Sequence, residues 1–360
     1  MEKVYFTDVR AEVTEPEKWF QPELSAVNKL KRLLDSSGIL DSILPGDLVA
    51  VKTHFGDLGT TRTLRSVFIR TVVEKIKEVG GKPFVTETTG LGLTRPRCTA
   101  IGRLLIAETN GYTQQTLAAP IVIADGLLGF DFVKTDVDGK HLKSVYVAKA
   151  IAEADVVVCC THFKLHMVAG IGGSIKNVGV GCVAKPSKFD IHAQGYPKIN
   201  DKCIKCDECV KLCPVKAIED YRIVEERCLK CLGCEEVCRY GAIDVSWLPG
   251  KIISERIAEC AKGVLSVNKN FVYINFLLDI SPHCDCHPYS DVPVVRDVGI
   301  LTSKDLVAID LASVELYEKE SKIGFIPDEK YWPWTDPHRM IEYAEELGIG
   351  KRSYRIIEIE

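Results

Sequence analysis

The sequence has no apolar run approaching the roughly 18 residues that a membrane-spanning helix needs, so no such helix is expected. It also has no long basic run. Lys and Arg are scattered among Glu and the net charge is -4, which argues against a surface dedicated to nucleic-acid phosphates. The N-terminus, MEKVYFTDVRAEV, lacks the basic and then apolar order of a signal peptide; export is not expected, and a cytoplasmic location is. Methionine (3 residues) and Asn plus Gln (11 together) are scarce. That scarcity fits a thermophile's avoidance of labile side chains, although 15 cysteines do not.

What the chain has in quantity is cysteine. In 360 residues without an export signal, 15 thiols point to metal binding rather than to disulfides, because the cytosol keeps thiols reduced. Cys203, Cys206, Cys209 and Cys213 read C-x2-C-x2-C-x3-C, and Cys228, Cys231, Cys234 and Cys238 repeat that spacing 25 residues later. The flanks repeat too, "DKCIKCDECVKLCPVKAIE" against "ERCLKCLGCEEVCRYGAID", which marks an internal duplication. Three thiolates, each separated from the next by two residues, wrap one face of a cubane, and the fourth reaches across to the other cluster. On that rule Cys203, Cys206, Cys209 and Cys238 hold one [4Fe–4S] cluster, and Cys228, Cys231, Cys234 and Cys213 hold a second. Pro214 follows its cysteine as expected, whereas Arg239 stands where a proline is usual; this alters a turn preference and no ligand.

Around this module strand and helix patterns alternate. "DLVAVKTH", "KPFVTETTG", "APIVIADG", "DVVVCCTH" and "FVYINFLLDI" read as strands, with another near "LVAID" and an edge strand at "YRIIEIE". "RSVFIRTVVEKIKEVGG", "TAIGRLLIAETNG", "VYVAKAIAEA", "KIISERIAECAKGV" and "LASVELYEKE" read as helices. The expected fold is α/β: a mostly parallel sheet with helices on both faces, interrupted by a bacterial-type two-cluster ferredoxin module. The spans are 1–196 and 248–360 for the two parts of the α/β domain and 197–247 for the module. In such sheets ligands bind beyond the carboxyl ends of the strands. His54, His162, His166 and the pair Cys284/Cys286 of "SPHCDCHP" all follow strands, so they are expected on one rim.

Cys284 and Cys286 are two apart and point the same way in an extended segment, while His283, Asp285 and His287 point the other way. They are candidates for a metal, with His54, His162 or His166, or for a redox-active dithiol; Cys182 and His192 are candidates for the same site. His162 and His166, four apart, would share a helical face. Gly170, Gly172 and Gly173 suit a loop opening a helix whose N–H groups hold an anion, and Lys164 and Lys176 would position an anionic substrate. Arg62 and Arg65 could clamp a carboxylate or phosphate. Cys98, Cys159, Cys160 and Cys260 read as small buried hydrophobes. "TGLGLTR" lacks the third glycine of a dinucleotide fingerprint, so no nicotinamide cofactor is expected.

A histidine after an early "VK" strand, "THFKLHMVAGIGGSIKNVGVGC", the histidine of "FDIHAQG", the inserted cysteine module and a downstream "CDC" together resemble the domain-of-unknown-function 362 family, from about Val49 to Tyr317. The resemblance implies an iron–sulfur protein of anaerobic metabolism without an assigned substrate. It adds weight to His162, Lys164, His166, Lys176, Cys182, His192, Cys284 and Cys286. The expected function is a cytoplasmic iron–sulfur oxidoreductase that exchanges electrons with a ferredoxin-like redox partner and acts on a small anionic substrate, with an additional metal ion or a dithiol at the rim. A non-enzymatic electron carrier or adaptor, and a metal or cluster maturation factor, are the alternatives.

Overall fold

The structure is a computed structural model that describes residues 1–13, 15–322 and 332–360. Its centre is one eight-stranded sheet built from β1 (Glu2–Asp8), β2 (Leu48–Lys52), β3 (Lys82–Glu87), β4 (Ile121–Ile123), β5 (Val156–His162), β6 (Phe271–Leu277), β7 (Gly299–Ser303) and β8 (Tyr354–Glu358). The spatial order is β8-β1-β7-β6-β5-β2-β3-β4. β7 pairs antiparallel with both neighbours, and the other five pairings are parallel. Among the described residues β8 pairs only with β1 and is an edge, as its mixed sequence suggests.

Continuous apolar runs become central strands because both faces are covered. β5 and β6 are buried at every residue. Alternation splits each run between two cores: Val157 and Cys159 face one, while Val156, Val158 and Cys160 face the other with Val49 and Val51 of β2. Helices Ala26–Ser37 and Ser66–Glu78 cover the second core. Ser66–Glu78 turns Phe68, Ile69, Val72, Val73 and Ile76 inward, offsets of one, four, five and eight residues from Phe68 that make one helical stripe. Gly250–Val267 and Leu306–Ser321 cover the first core. Each fully buried aliphatic side chain contributes about 1.5–3 kcal/mol.

Two segments differ from the sequence reading. "LVAID" is the first turn of helix Leu306–Ser321 and not a strand. This helix is buried on most of its circumference, so its apolar residues show little helical periodicity; the signal lay in Asp305, whose carboxylate accepts from the N–H groups of Val307 and Ala308. "VYVAKAIAEA" is half strand and half helix: Ser144–Ala148 pairs with Phe132–Asp136, and Lys149–Glu153 forms a single short helix.

The cysteine-rich segment is framed by strands Ala193–Ile199 and Ile243–Trp247, which pair antiparallel. The 25-residue repeat is visible in the backbone. Lys205 and Lys230 have positive φ, as do Asp207 and Leu232, and short helices Glu208–Leu212 and Gly233–Val237 follow. Ala217 N–H donates to Cys213 Sγ at 3.2 Å, and Ala242 N–H to Cys238 Sγ at 3.3 Å.

Candidate functional site

Four consecutive strands of the sheet, β3, β2, β5 and β6, end on one rim above a cavity of about 470 Å³. Its wall carries His54, His162, His166, His192, Cys284 and Cys286, so the sequence-predicted rim residues come together with the exception of Cys182. Cys182 is buried away from the wall with its sulfur toward the Asn177 carbonyl, and burial pushes its thiol far up.

Each wall histidine is held by a different polarity. The Glu87 carboxylate bonds His54 Nδ1 with one oxygen and lies 2.9 Å from Lys52 Nζ with the other. Burial alone would raise the Glu87 pKa, but Lys52 and His54 outweigh it and hold the carboxyl well below its usual range. His54 therefore directs Nε2 away from Glu87. His162 bonds Asp285 through Nδ1, at 3.0 and 3.1 Å, and the Leu278 carbonyl through Nε2 at 2.8 Å. Both its ring nitrogens are engaged by acceptors of the protein. His192 donates Nδ1–H to the Lys188 carbonyl at 2.7 Å; burial keeps this ring neutral, which leaves an Nε2 lone pair.

The segment from His162 to His166 is extended, not helical: β5 ends at His162 and a second short strand, Lys164–His166, follows. Lys164 Nζ lies 3.0 Å from Asp285 and is already paired. The glycine loop does open a helix, Ser174–Gly179, but its first N–H groups are taken by the protein itself. Asp310 accepts from Ser174 N at 2.7 Å and Ile175 N at 2.8 Å. Likewise Arg62 and Arg65 clamp the internal carboxylate of Asp279, at 3.1 and 2.6 Å.

Cys284 and Cys286 project into the cavity and Asp285 turns beneath it, while His283 meets Tyr289 edge-on, His287 stacks on it, and neither is on the wall. Each of His166, Cys284 and Cys286 brings a ligand atom within 4.8 Å of the other two, a spacing that suits a metal ion. The surrounding polarity does not. His166 Nδ1 accepts from Val168 N and Ala169 N at 3.1 Å, and burial, with Lys176 nearby, lowers its pKa well below the usual value. The neutral ring therefore carries its proton on Nε2. A metal-ligating histidine shows the reverse, donating its second N–H to an acceptor. Lys176 Nζ stands 3.8 Å from Cys284 Sγ and adds positive charge beside it. The S–H of Cys286, with Lys176 and Lys164, holds the Cys284 thiol well below its ordinary range against the effect of burial, and Cys286 is pushed up. The lone pairs and charges suit a thiol pair sharing one proton.

Cationic side chains on the wall outnumber carboxylates. Among the described residues, Arg103, Lys176 and Lys188 make no ion pair with a carboxylate; Arg103 and Lys188 are satisfied by oxygens of the Gly56, Thr88 and Thr89 region. Sequence reasoning missed Lys52, Glu87, Arg103, Lys188 and the inward turn of Asp285. For Lys52 and Glu87 the signal was available: each is a charge closing an apolar strand.

The eight motif cysteines line two further cavities. Cys213, Cys228, Cys231 and Cys234 line one, and Cys203, Cys206, Cys209 and Cys238 the other. Each set takes three residues from one motif and the fourth from its repeat. Leu232 lies on the wall of the first of these cavities and on the wall of the large rim cavity as well. Gly92 N–H donates to the Cys231 carbonyl at 2.7 Å, and Glu236 accepts from Leu93 N and Thr94 N at 2.7 Å, so the cavity loop 90–97 is bonded directly to the inner cysteine set.

No helix among the described residues is long and apolar enough to cross a membrane. None of the curated proteins matches this sequence. Among solved structures, the lactate racemase apoprotein from Thermoanaerobacterium thermosaccharolyticum is similar at 14% identity and a TM-score of 0.36, over 71% of this chain and 49% of that one. A protein from Thermotoga maritima is similar at 10% identity and a TM-score of 0.42, over 84% of this chain and 58% of that one. The chain thus spans about half the length of the solved structures it matches. The family model described as domain of unknown function (DUF362) matches residues 49–315. The chain, with its rim of histidines and cysteines inside that span, belongs to this family.

Proposed function

We propose that this protein is an iron–sulfur oxidoreductase that passes electrons through two [4Fe–4S] clusters to the thiol pair Cys284/Cys286 in the rim cavity. The observation that carries the reading is the shared wall: Leu232 separates the inner cysteine set from the cavity into which Cys284 and Cys286 project. The residues present fit the clusters. Each four-cysteine cavity has the crossed three-plus-one composition that a two-cluster module requires, and the sulfurs of Cys213 and Cys238 each receive a backbone N–H.

When bound, such clusters supply single electrons at low potential. The chain's own residues do the rest. Cys203, Cys206, Cys209 and Cys238 form the outer set, where Cys206 is exposed and Ile204 and Tyr240 are more than half exposed; a ferredoxin-like partner docks there. The inner set abuts the cavity. Lys176 keeps Cys284 charged, and Arg103 and Lys188 draw a small anionic substrate into the site. The 1–196, 197–247 and 248–360 division follows this use: the inserted segment carries electrons and the α/β domain holds the substrate. A reducing, anaerobic cytoplasm suits the thiols.

The test is iron and acid-labile sulfide analysis of anaerobically purified protein with electron paramagnetic resonance. The reading expects about eight irons per chain, a reducible paramagnetic signal, and no further metal lost in the Cys284→Ser/Cys286→Ser double variant. Zinc in place of iron, or a redox-inert protein, would overturn it.

A further inference from the structure

We infer that Cys286 and Cys284 reduce a small anionic disulfide, with Cys286 as the sulfur that meets the substrate and Cys284 as the buried thiolate that resolves it. The two sulfurs differ in access and in charge. Cys286 is partly exposed at the cavity wall, whereas Cys284 is 1% exposed. Cys284 Sγ has the Lys176 ammonium at 3.8 Å and the Cys286 backbone N–H at 3.5 Å. The ring polarity set by Val168 and Ala169 leaves His166 with a donor, not an acceptor, toward these sulfurs. A thiolate is the nucleophile in disulfide exchange, and the Lys176 ammonium beside these two sulfurs favours one.

The exchange balances. Cys286 passes its proton to Cys284 and attacks one sulfur of R–S–S–R′, forming a Cys286–S–S–R mixed disulfide and releasing R′–S⁻. Cys284 then gives up that proton to the departing R–S group and attacks Cys286 Sγ, closing a Cys284–Cys286 disulfide and releasing R–SH. The substrate gains two electrons and the protein dithiol loses them. Reopening the protein disulfide takes two electrons, delivered one at a time by two equivalents of a low-potential one-electron carrier, and one proton from water, and only this last step rests on the electron-relay reading.

The wall selects for charge. Arg103 and Lys188 bond to backbone carbonyl and hydroxyl oxygens and make no ion pair with a carboxylate among the described residues, so carboxylate groups on R and R′ meet cations that hold no direct carboxylate partner. A cavity of about 470 Å³ lies within the ordinary range for a small molecule.

The experiment treats the anaerobic cluster-loaded protein with dithiodiglycolate, a dianionic disulfide, or cystamine, a dicationic one, and maps residues 280–290 by mass spectrometry after alkylation. Wild type is expected to end as the Cys284–Cys286 disulfide without adduct, at least about tenfold faster with the anion, as opposite charge at a buried wall requires. Cys284→Ser is expected to stop at a thioglycolate adduct on Cys286, and Cys286→Ser to give almost none. Faster reaction with cystamine, an adduct mainly on Cys284, or no reaction of the wild-type pair would overturn the inference. The wild-type rate ratio needs no variant to fold. Absent iron with normal exchange would sink the electron-relay reading instead, and intact iron with no exchange would sink this one alone.

Discussion

Lys52 Nζ and Glu87 Oε1 lie 2.9 Å apart, each side chain at most 4% exposed, at the adjacent ends of β2 and β3. Two charges at the exits of apolar strands are placed there by the fold's register, in which Lys52 sits opposite Thr86. Removing one partner leaves an uncompensated buried charge, which typically costs about 3–5 kcal/mol. Glu87→Ala should therefore lower the denaturation midpoint strongly and release His54 from its orientation. Chemical denaturation with a histidine-resolved NMR spectrum checks both. An unchanged midpoint would show that the pair is not buried as described.

A second expectation concerns the two cysteine sets. Cys213 lies in the first motif but lines the cavity of the second set, and Cys238 does the opposite. Cys213→Ser should leave about four irons per chain, held by Cys203, Cys206, Cys209 and Cys238. Iron and sulfide analysis with electron paramagnetic resonance reads the result. Loss of the Cys203 set instead would mean that ligation is not crossed.

Gly92 links the cavity loop to the inner set. Its φ is +101°, and a side-chain carbon there would strike the Glu236 carboxylate. Gly92→Ala should cost about 1–3 kcal/mol and increase iron loss from the inner set on dilution, because Glu236 is the acceptor for Leu93 N and Thr94 N. Equal iron retention in the two proteins would separate the loop from the cluster.

Acid stability should depend on Glu255, which bonds His141, Lys140 and Arg339 from helix Gly250–Val267. Burial alone would raise its pKa; the hydrogen bonds from His141, Arg339 and Lys140 outweigh burial and hold it at about 2 against an ordinary 4.5. The folded pKa lies below the unfolded one, so the stabilisation is present above about pH 4.5 and is lost as pH falls toward 2. The shift corresponds to about 3 kcal/mol. Thermal unfolding from pH 6 to 2 should show Glu255→Gln less stable at pH 6 and converging with wild type near pH 2. Parallel curves would remove Glu255 from the account.

Much of this was legible in the chain. β2, β3, β5 and β6 are continuous apolar runs closed by polar residues, and that pattern alone gives a parallel core with a polar rim. The duplicated cysteine spacing gives the crossed sets. What the sequence hid depends on contacts between distant residues. Nothing local says that Asp310 caps helix Ser174–Gly179, that Asp279 takes Arg62 and Arg65, or that Asp285 turns under Lys164 and His162. In each case a residue read as a ligand-binding candidate had an internal partner more than a hundred residues away. The cations without a carboxylate ion pair among the described residues, Arg103 and Lys188, stand out only against these pairings.

The most direct measurement of the central claim is reduction of the thiol pair through the inserted segment. Protein carrying an oxidised Cys284–Cys286 pair is photoreduced anaerobically with a low-potential one-electron donor that reacts only slowly with disulfides directly, and the thiols at 284 and 286 are counted by alkylation and mass spectrometry. The account expects both thiols to return in wild type and to stay oxidised in Cys213→Ser. Equal recovery in the two proteins, or none in wild type, would contradict it.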